Sequence, residues 1–296
     1  MRIRIIVATL LLATSLFAQQ NKLKVYISAD MEGVVGVATG DQLGPTAFEY
    51  ARFREIMTNE VNAAIAGAVD AGATEVVVSD SHGNFQNILV ERLPKNVSLV
   101  RGSPRPHGMM EGIDATFDAV VFLGYHASTT SPAGVRAHTM SSARLADIRL
   151  NGISMPEGGL NAALAGHFNV PVVMISGDDV VVAEVSKLLG PIESAVVKTA
   201  LGFHATKTMT PDAAYELIRA KVKRGVERRG EFRPYKVKQP VQLEVQFKNY
   251  RPSEVLSWLP NVERIDAHAI RFVGRDVPES IRFLSFLNTY EPGLEP

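Results

Sequence analysis

The chain has 296 residues, 46% of them hydrophobic and 21% charged, which is ordinary globular composition and long enough for a large α/β domain with a smaller appendage. Thirty-one basic residues balance 31 acidic ones, so there is no basic field for nucleic acid and no acidic tail. The absence of cysteine excludes disulfides, thiol catalysis and cysteine-ligated zinc, so that any metal here must rest on histidine and carboxylate.

The first residues are a different material. Arg2 and Arg4 precede an apolar run, Ile5 to Phe17, and Ala18-Gln19 is a plausible cleavage site. The run is too short for a bilayer span and reads as a secretory signal peptide, residues 1–18. The expectation is an exported protein, periplasmic or secreted, that is free of the membrane once cleaved.

The first strand is predicted at Val25-Tyr26-Ile27 and ends in Asp30-Met31-Glu32-Gly33. In an extended backbone residues i and i+2 share a face, so both carboxylates can reach one point. Like charges held that close repel unless a proton or cation lies between them. A glycine-bearing loop, Val34 to Pro45, follows; it lacks the Gly-Lys-Ser/Thr of a phosphate loop. Helical spacing from about Thr46 predicts a helix to Ala71, stopped by Gly72. Glu75 to Ser79 is the second strand, leading into Asp80-Ser81-His82-Gly83, and Val97 to Val100 is a third. Ala119 to Leu123 is buried in pattern and runs into Gly124-Tyr125-His126. Val135–Met140, which carries His138, and Asp147–Leu150 read as two extended runs, the second closed by an Asn151-Gly152 turn. Pro156-Glu157-Gly158-Gly159 opens a helix to Phe168. A strand at Pro171 to Ser176, a helix at Val181 to Leu189 and a strand at Ser194 to Thr199 complete the alternation.

That order predicts a doubly wound, mostly parallel sheet over residues 19–203. Beyond Gly202 the pattern changes to a helix opened by Pro211, strand-like runs at Val241–Phe247 and Ala267–Val273, and a last helix from Pro278. This predicts a smaller α+β domain over residues 204–296.

In open α/β sheets ligands bind beyond the carboxyl ends of the strands. Three strands deliver Asp30, Glu32, His82 and His126 to that edge, and Glu157 adds a carboxylate from a helix start. Such a set suits Zn²⁺, and also Mn²⁺ or Co²⁺. It exceeds the needs of one catalytic zinc and fits two metals sharing Asp30 or Glu32. Other readings remain open at each position: His82 as a turn residue bonded to Asp80, His126 as a core histidine, Glu157 as a first-turn carboxylate. His138 is placed to act as acid, base or oxyanion donor. Asp178-Asp179 either supports the site or caps the next helix. His107, His167, His204 and His268 read as structural or surface residues.

Six motifs then occur in order: Ser-Ala-Asp-Met-Glu-Gly, Ser-Asp-Ser-His, Leu-Gly-Tyr-His-Ala, Ala-His-Thr-Met, Glu-Gly-Gly-Leu-Asn-Ala and Ser-Gly-Asp-Asp. Together they resemble the DppA-type D-aminopeptidases, which are zinc metallopeptidases. The resemblance implies two zinc ions per chain on Asp30, Glu32, His82, His126 and Glu157, with Asp30 bridging. It implies His138 as the catalytic residue, proposed in that family as a nucleophile. It also implies small peptides with an N-terminal D-residue as substrates, typically D-Ala, and a ring-stacked homodecamer. Pro156 stands where that family more often has glycine. With two metals to supply a nucleophile, His138 is expected instead to donate to the oxyanion or to shuttle a proton at the leaving amine. The rival readings are a dinuclear phosphoesterase, with Arg101, Arg136 or Arg144 beside the metals, and an exported protein that binds a peptide or metal without turnover.

Overall fold

The computed structural model describes residues 22–290, so the expected signal peptide lies outside the described residues. The chain alternates as expected through its first part. Strand β1 (Lys24–Ala29) leads to α1 (Tyr50–Asp70), then β2 (Glu75–Asp80), β3 (Val97–Val100) and β4 (Ala119–Tyr125). After the short pair β5 (Leu145–Leu150) and β6 (Ile153–Ser154) come α2 (Glu157–His167), β7 (Val172–Asp178), α3 (Asp179–Leu189), β8 (Glu193–Gly202) and β9 (Ala205–Thr208). The remainder is α4 (Pro211–Glu227), β10 (Val241–Phe247), α5 (Tyr250–Leu256), β11 (Val262–Asp266), β12 (Ala269–Gly274) and α6 (Val277–Thr289). Among the described residues no helix is long and apolar enough to cross a membrane.

The main sheet runs β3-β2-β1-β4-β7-β8-β9 and is parallel except at the β8–β9 edge. The strands at its centre are apolar on both faces because helices cover both. Val25, Ile27, Val121 and Leu123 point into a core shared with α1 and α4, while Tyr26, Val120 and Phe122 point into a core shared with α2 and α3. This alternation along each strand makes the sheet doubly wound.

The second sheet is antiparallel at every pairing, in the order β11-β12-β10-β5-β6. Its strands come from both sides of residue 203. The hairpin β5–β6 leaves the main sheet and pairs with β10, with Ile148 opposite Val245. Conversely β9 joins the main sheet, and α4 packs on α1 and β8. Local pattern changes at Gly202, whereas long-range pairing and helix packing decide which sheet each segment joins. One core runs from α2 and α3 through Ile148 and Leu243 to Ile281 and Leu284 of α6, so the two sheets share an interior.

The segment 135–140 is not a strand. Arg136 and Met140 have φ of 57° and 63°, a left-handed conformation that no ladder accommodates. Distant groups hold the segment instead. Val135 N–H donates to Asp178 Oδ2 at 2.7 Å, His138 N–H to the Ala127 carbonyl at 2.9 Å, and Met140 N–H to Glu157 Oε1 at 2.6 Å.

Candidate metal centre

The carboxyl ends of β1, β2 and β4 meet at one edge of the main sheet. Their backbones are stitched together beyond the last ladder residues. Asp30 N–H donates to Leu123 O at 2.8 Å, Ser81 N–H to Ala29 O at 2.7 Å, and Gly33 N–H to Gly124 O at 2.7 Å. Contact between Gly33 and Gly124 is so close that a Cβ on Gly33 would lie 2.0 Å from the Tyr125 carbonyl oxygen. Gly124 has φ +68°, and its own Cβ would lie 2.3 Å from the Asp30 carbonyl oxygen. Glycine at both positions lets the loop after β1 lie against β4 and brings Asp30 toward His126.

The loop after β1 is also held from behind. Buried Lys198 on β8 donates to the carbonyls of Glu32, Val34 and Val37, and Val35 N–H donates to buried Glu60 of α1 at 2.9 Å. Burial pulls the Lys198 ammonium down to about 8 and pushes the Glu60 carboxyl up to about 7.

All five expected ligand residues come together, each less than a tenth exposed. His82 Nδ1 lies 2.8 Å from Glu32 Oε2 and 3.3 Å from Asp30 Oδ1. Its Nε2 faces the Leu43 carbonyl at 2.7 Å and carries a hydrogen there, which turns Nδ1 toward the carboxylates, where a proton or a cation lies between them. His82 is therefore not bonded to Asp80, whose carboxylate accepts from the Asn87 and Ile88 amides. His126 Nε2 lies 3.3 Å from both Asp30 Oδ2 and Glu157 Oε2, while its Nδ1 faces the Ala127 carbonyl. Glu157 is the first residue of α2, with Pro156 as the capping residue before it.

Two groups of three residues emerge, Asp30–Glu32–His82 and Asp30–His126–Glu157, in each of which the donor atoms lie within 4.8 Å of one another. Asp30 belongs to both. Asp30 Oδ2 and His126 Nε2 are buried and have no hydrogen-bond partner, although they face the same point. A buried polar atom without a partner is costly in a finished protein interior. Here the donor chemistry, two imidazoles and three carboxylates, fits a divalent cation.

The electrostatics express the same demand for positive charge. Burial and then the Glu32 charge push the Asp30 carboxyl up. Burial opposes ionisation of Glu32 and Glu157 as well, yet His82 holds Glu32 well below the usual carboxylate range and His126 holds Glu157 below it. The imidazoles respond in kind. Against the effect of burial, Glu32 holds His82 well above its ordinary value and Glu157 does the same to His126. The cluster takes up protons when nothing else neutralises it.

His138 stands slightly apart from these five. Its Nε2 is 3.9 Å from Glu32 Oε1 and 3.9 Å from Glu157 Oε1, and its Nδ1 donates to the Arg136 carbonyl at 2.8 Å. Glu32, His126 and His138 form a third possible grouping within the same 4.8 Å, with His138 only partly buried. Asp178 does both things foreseen for it. It caps α3 through Val181 N–H, and it holds the His138 segment through Val135 N–H.

The cluster opens into a cavity of about 320 Å³. Arg105, His107, Arg144 and Asn161 line it, and α6 of the second sheet's layer closes it with Leu284, Asn288 and Thr289.

Comparison with known proteins fits this geometry. Residues 23–286 match the Peptidase_M55 family model, described as D-aminopeptidase. The chain belongs to the D-aminopeptidase family. A D-aminopeptidase of Bacillus subtilis (strain 168) is 34% identical over 259 residues, covering 87% of this chain and 94% of that one. Among solved structures, the Zn-dependent D-aminopeptidase DppA from Bacillus subtilis, described as a self-compartmentalizing protease, superposes with a TM-score of 0.87 at 32% identity. That match covers 91% of this chain and 99% of the other. Family membership makes this D-aminopeptidase relative a peptide hydrolase, and the strand-end cluster is its candidate active centre.

Two cavity residues of this family member carry no functional signal in their own stretch of sequence. Arg105 sits in Ser103-Pro104-Arg105-Pro106, which reads as an ordinary loop, and His107, which reads as structural or surface, lines the cavity instead. The one available signal was position: both follow β3 at the same carboxyl edge of the sheet as the metal cluster.

Proposed function

We propose that this protein is a zinc-dependent D-aminopeptidase that removes the N-terminal D-residue from small peptides of the D-Ala-D-Ala type. The observation that carries the reading is the pair of three-residue groups sharing Asp30. Asp30, Glu32 and His82 would hold one zinc ion and Asp30, His126 and Glu157 a second, Asp30 belonging to both groups. Zinc held there supplies Lewis acidity toward a carbonyl and makes water acidic enough to attack near neutral pH.

The chain's own groups do the rest. With Nδ1–H spent on the Arg136 carbonyl, His138 turns its Nε2 lone pair into the cavity. It accepts a proton there and returns it to the leaving amine. Glu32 Oε1 and Glu157 Oε1 each lie 3.9 Å from that Nε2. Ile281, Leu284 and Asn288 of α6 form one wall of the site and narrow it toward short substrates.

The self-compartmentalizing description of the DppA structure supports a homo-oligomer for this chain too, and we take the decamer as its form. Export through the N-terminal signal places its work outside the cytoplasm.

Metal analysis of purified protein, paired with D-Ala-D-Ala hydrolysis before and after chelation, tests the whole reading. Two zinc ions per chain, with activity lost on chelation and restored by zinc, is the expected result. Hydrolysis of p-nitrophenyl phosphate but not of D-Ala-p-nitroanilide would replace it with a phosphoesterase. Binding of D-Ala-D-Ala without turnover would leave a binding protein.

A further inference from the structure

Arg105 is a buried cation, 7% exposed, in the wall of the catalytic cavity. One hydrogen from each terminal nitrogen is spent on the end of β2: Nη1 donates to Ser79 Oγ at 3.0 Å and Nη2 to the Asp80 carbonyl at 2.5 Å. Its guanidinium carbon lies 3.7 Å from the centre of the Phe85 ring. These contacts fix the group's plane without neutralising it. A guanidinium has five N–H donors, and Nε here has no partner. Among the described residues no carboxylate forms an ion pair with it, and the nearby Glu111 carboxylate is engaged by the His107 amide at 2.8 Å. Burial accordingly draws its pKa down.

A buried charge without a counterion is expensive, and an arginine held in a rigid frame suits a planar carboxylate. The cavity thus has carboxylates at its floor and a fixed cation in its wall. At about 320 Å³ it sits at the low end of the roughly 300–1,000 Å³ typical of ligand pockets. An extended dipeptide spans at most about 7 Å, short enough to lie across it.

The geometry points to Arg105 as the residue that binds the free α-carboxylate of a short peptide whose scissile bond lies at the metal cluster. The inference rests on the aminopeptidase reading and narrows it to unblocked di- and tripeptides. Arg105 is then a specificity residue and takes no part in bond cleavage. Its bonds to Ser79 and Asp80 also steady the strand end that precedes His82, so a test must separate the two roles.

Steady-state kinetics of the zinc-loaded full chain on D-Ala-D-Ala and on D-Ala-D-Ala amide make that separation. The acid is expected to exceed the amide in kcat/KM by about 10- to 100-fold, mostly through KM, because a charge-assisted pair is lost with the amide. R105Q is expected to bring the ratio to within about threefold of one, and R105K to retain part of it. A purely structural role predicts that R105Q lowers both substrates by one factor and leaves the ratio alone, and that result would overturn the inference. So would a native enzyme that treats acid and amide alike, a comparison that needs no variant to fold. If neither substrate is hydrolysed while metal is bound, the aminopeptidase reading itself fails and takes this inference with it.

Discussion

His126 and His138 lie face to face, their ring centroids 4.0 Å apart and their planes within 5° of parallel. One ring aims Nε2 at two carboxylates 3.3 Å away, while the other stands 3.9 Å from its own pair. The stack holds a ring able to move protons directly over a ring suited to holding metal.

His138→Ala should therefore separate the two duties. Loss of a positioned acid–base group is expected to lower kcat by about 10²- to 10⁴-fold. Zinc content should stay at the native level, because the residue is not needed by either group that shares Asp30. A fall in bound zinc would instead make His138 a ligand. Mass spectrometry of quenched native reactions should find no acyl-enzyme, and a covalent adduct on His138 would make it the nucleophile.

Asp30→Asn should strip more metal than any other single change in the cluster. Asp30 serves both groups, whereas His82 and Glu157 each serve one. Elemental analysis is expected to give near-complete loss of zinc for D30N and about half occupancy for H82A and E157Q. Equal losses from all three variants would mean that the ions bind as one inseparable unit.

Gly33→Ala should disable the enzyme without altering any side chain of the metal cluster. Its Cβ would meet the backbone of Gly124 and Tyr125, which cannot rotate out of the way as a side chain can. A cost of about 3 kcal/mol or more is expected, read as a fall in thermal midpoint together with weakened zinc affinity. Native stability in G33A would show that the loop after β1 can yield.

Glu60 gives a pH signature. Its carboxyl is pushed up to about 7, chiefly by burial, against about 4.5 in the unfolded chain. Below pH 4.5 both states are protonated and nothing is lost. As pH rises from 4.5 to 7 the unfolded chain ionises first, so the fold loses stability, on the order of 3 kcal/mol once both states are charged. Glu60→Gln keeps an acceptor for Val35 N–H but cannot ionise. Denaturant titrations should find E60Q more stable than native at pH 8, with the gap closing toward pH 5. A constant gap across that range would rule out ionisation as its cause.

What the sequence disclosed follows the reach of each signal. Asp30, Glu32, His82 and His126 were legible because each follows a short apolar run, and the ends of parallel strands necessarily gather at one edge. Glu157 was legible as a helix start. The doubly wound sheet followed from simple alternation. His138 was legible as a residue but not in its setting, because a left-handed Arg136 is imposed by bonds to Phe203, Asp178 and Ala127 and leaves no local trace. The migration of β5 to the second sheet was hidden for the same reason, since its partner β10 is far along the chain. Strand β9, four residues with little burial, gave no apolar run to read. Arg105 between two prolines looks like a turn until the fold sets it against β2.

The hairpin that crosses between sheets also ties completion of the cavity to the last third of the chain. A polypeptide stopped after α4 already contains all five residues of the metal cluster and His138. Yet its β5 has no β10 to pair with, and its cavity has no α6 wall. Nascent chains fold progressively from the N-terminus. Here the cavity stays unfinished until Leu284 and Asn288, near the end of the described residues, have docked against it.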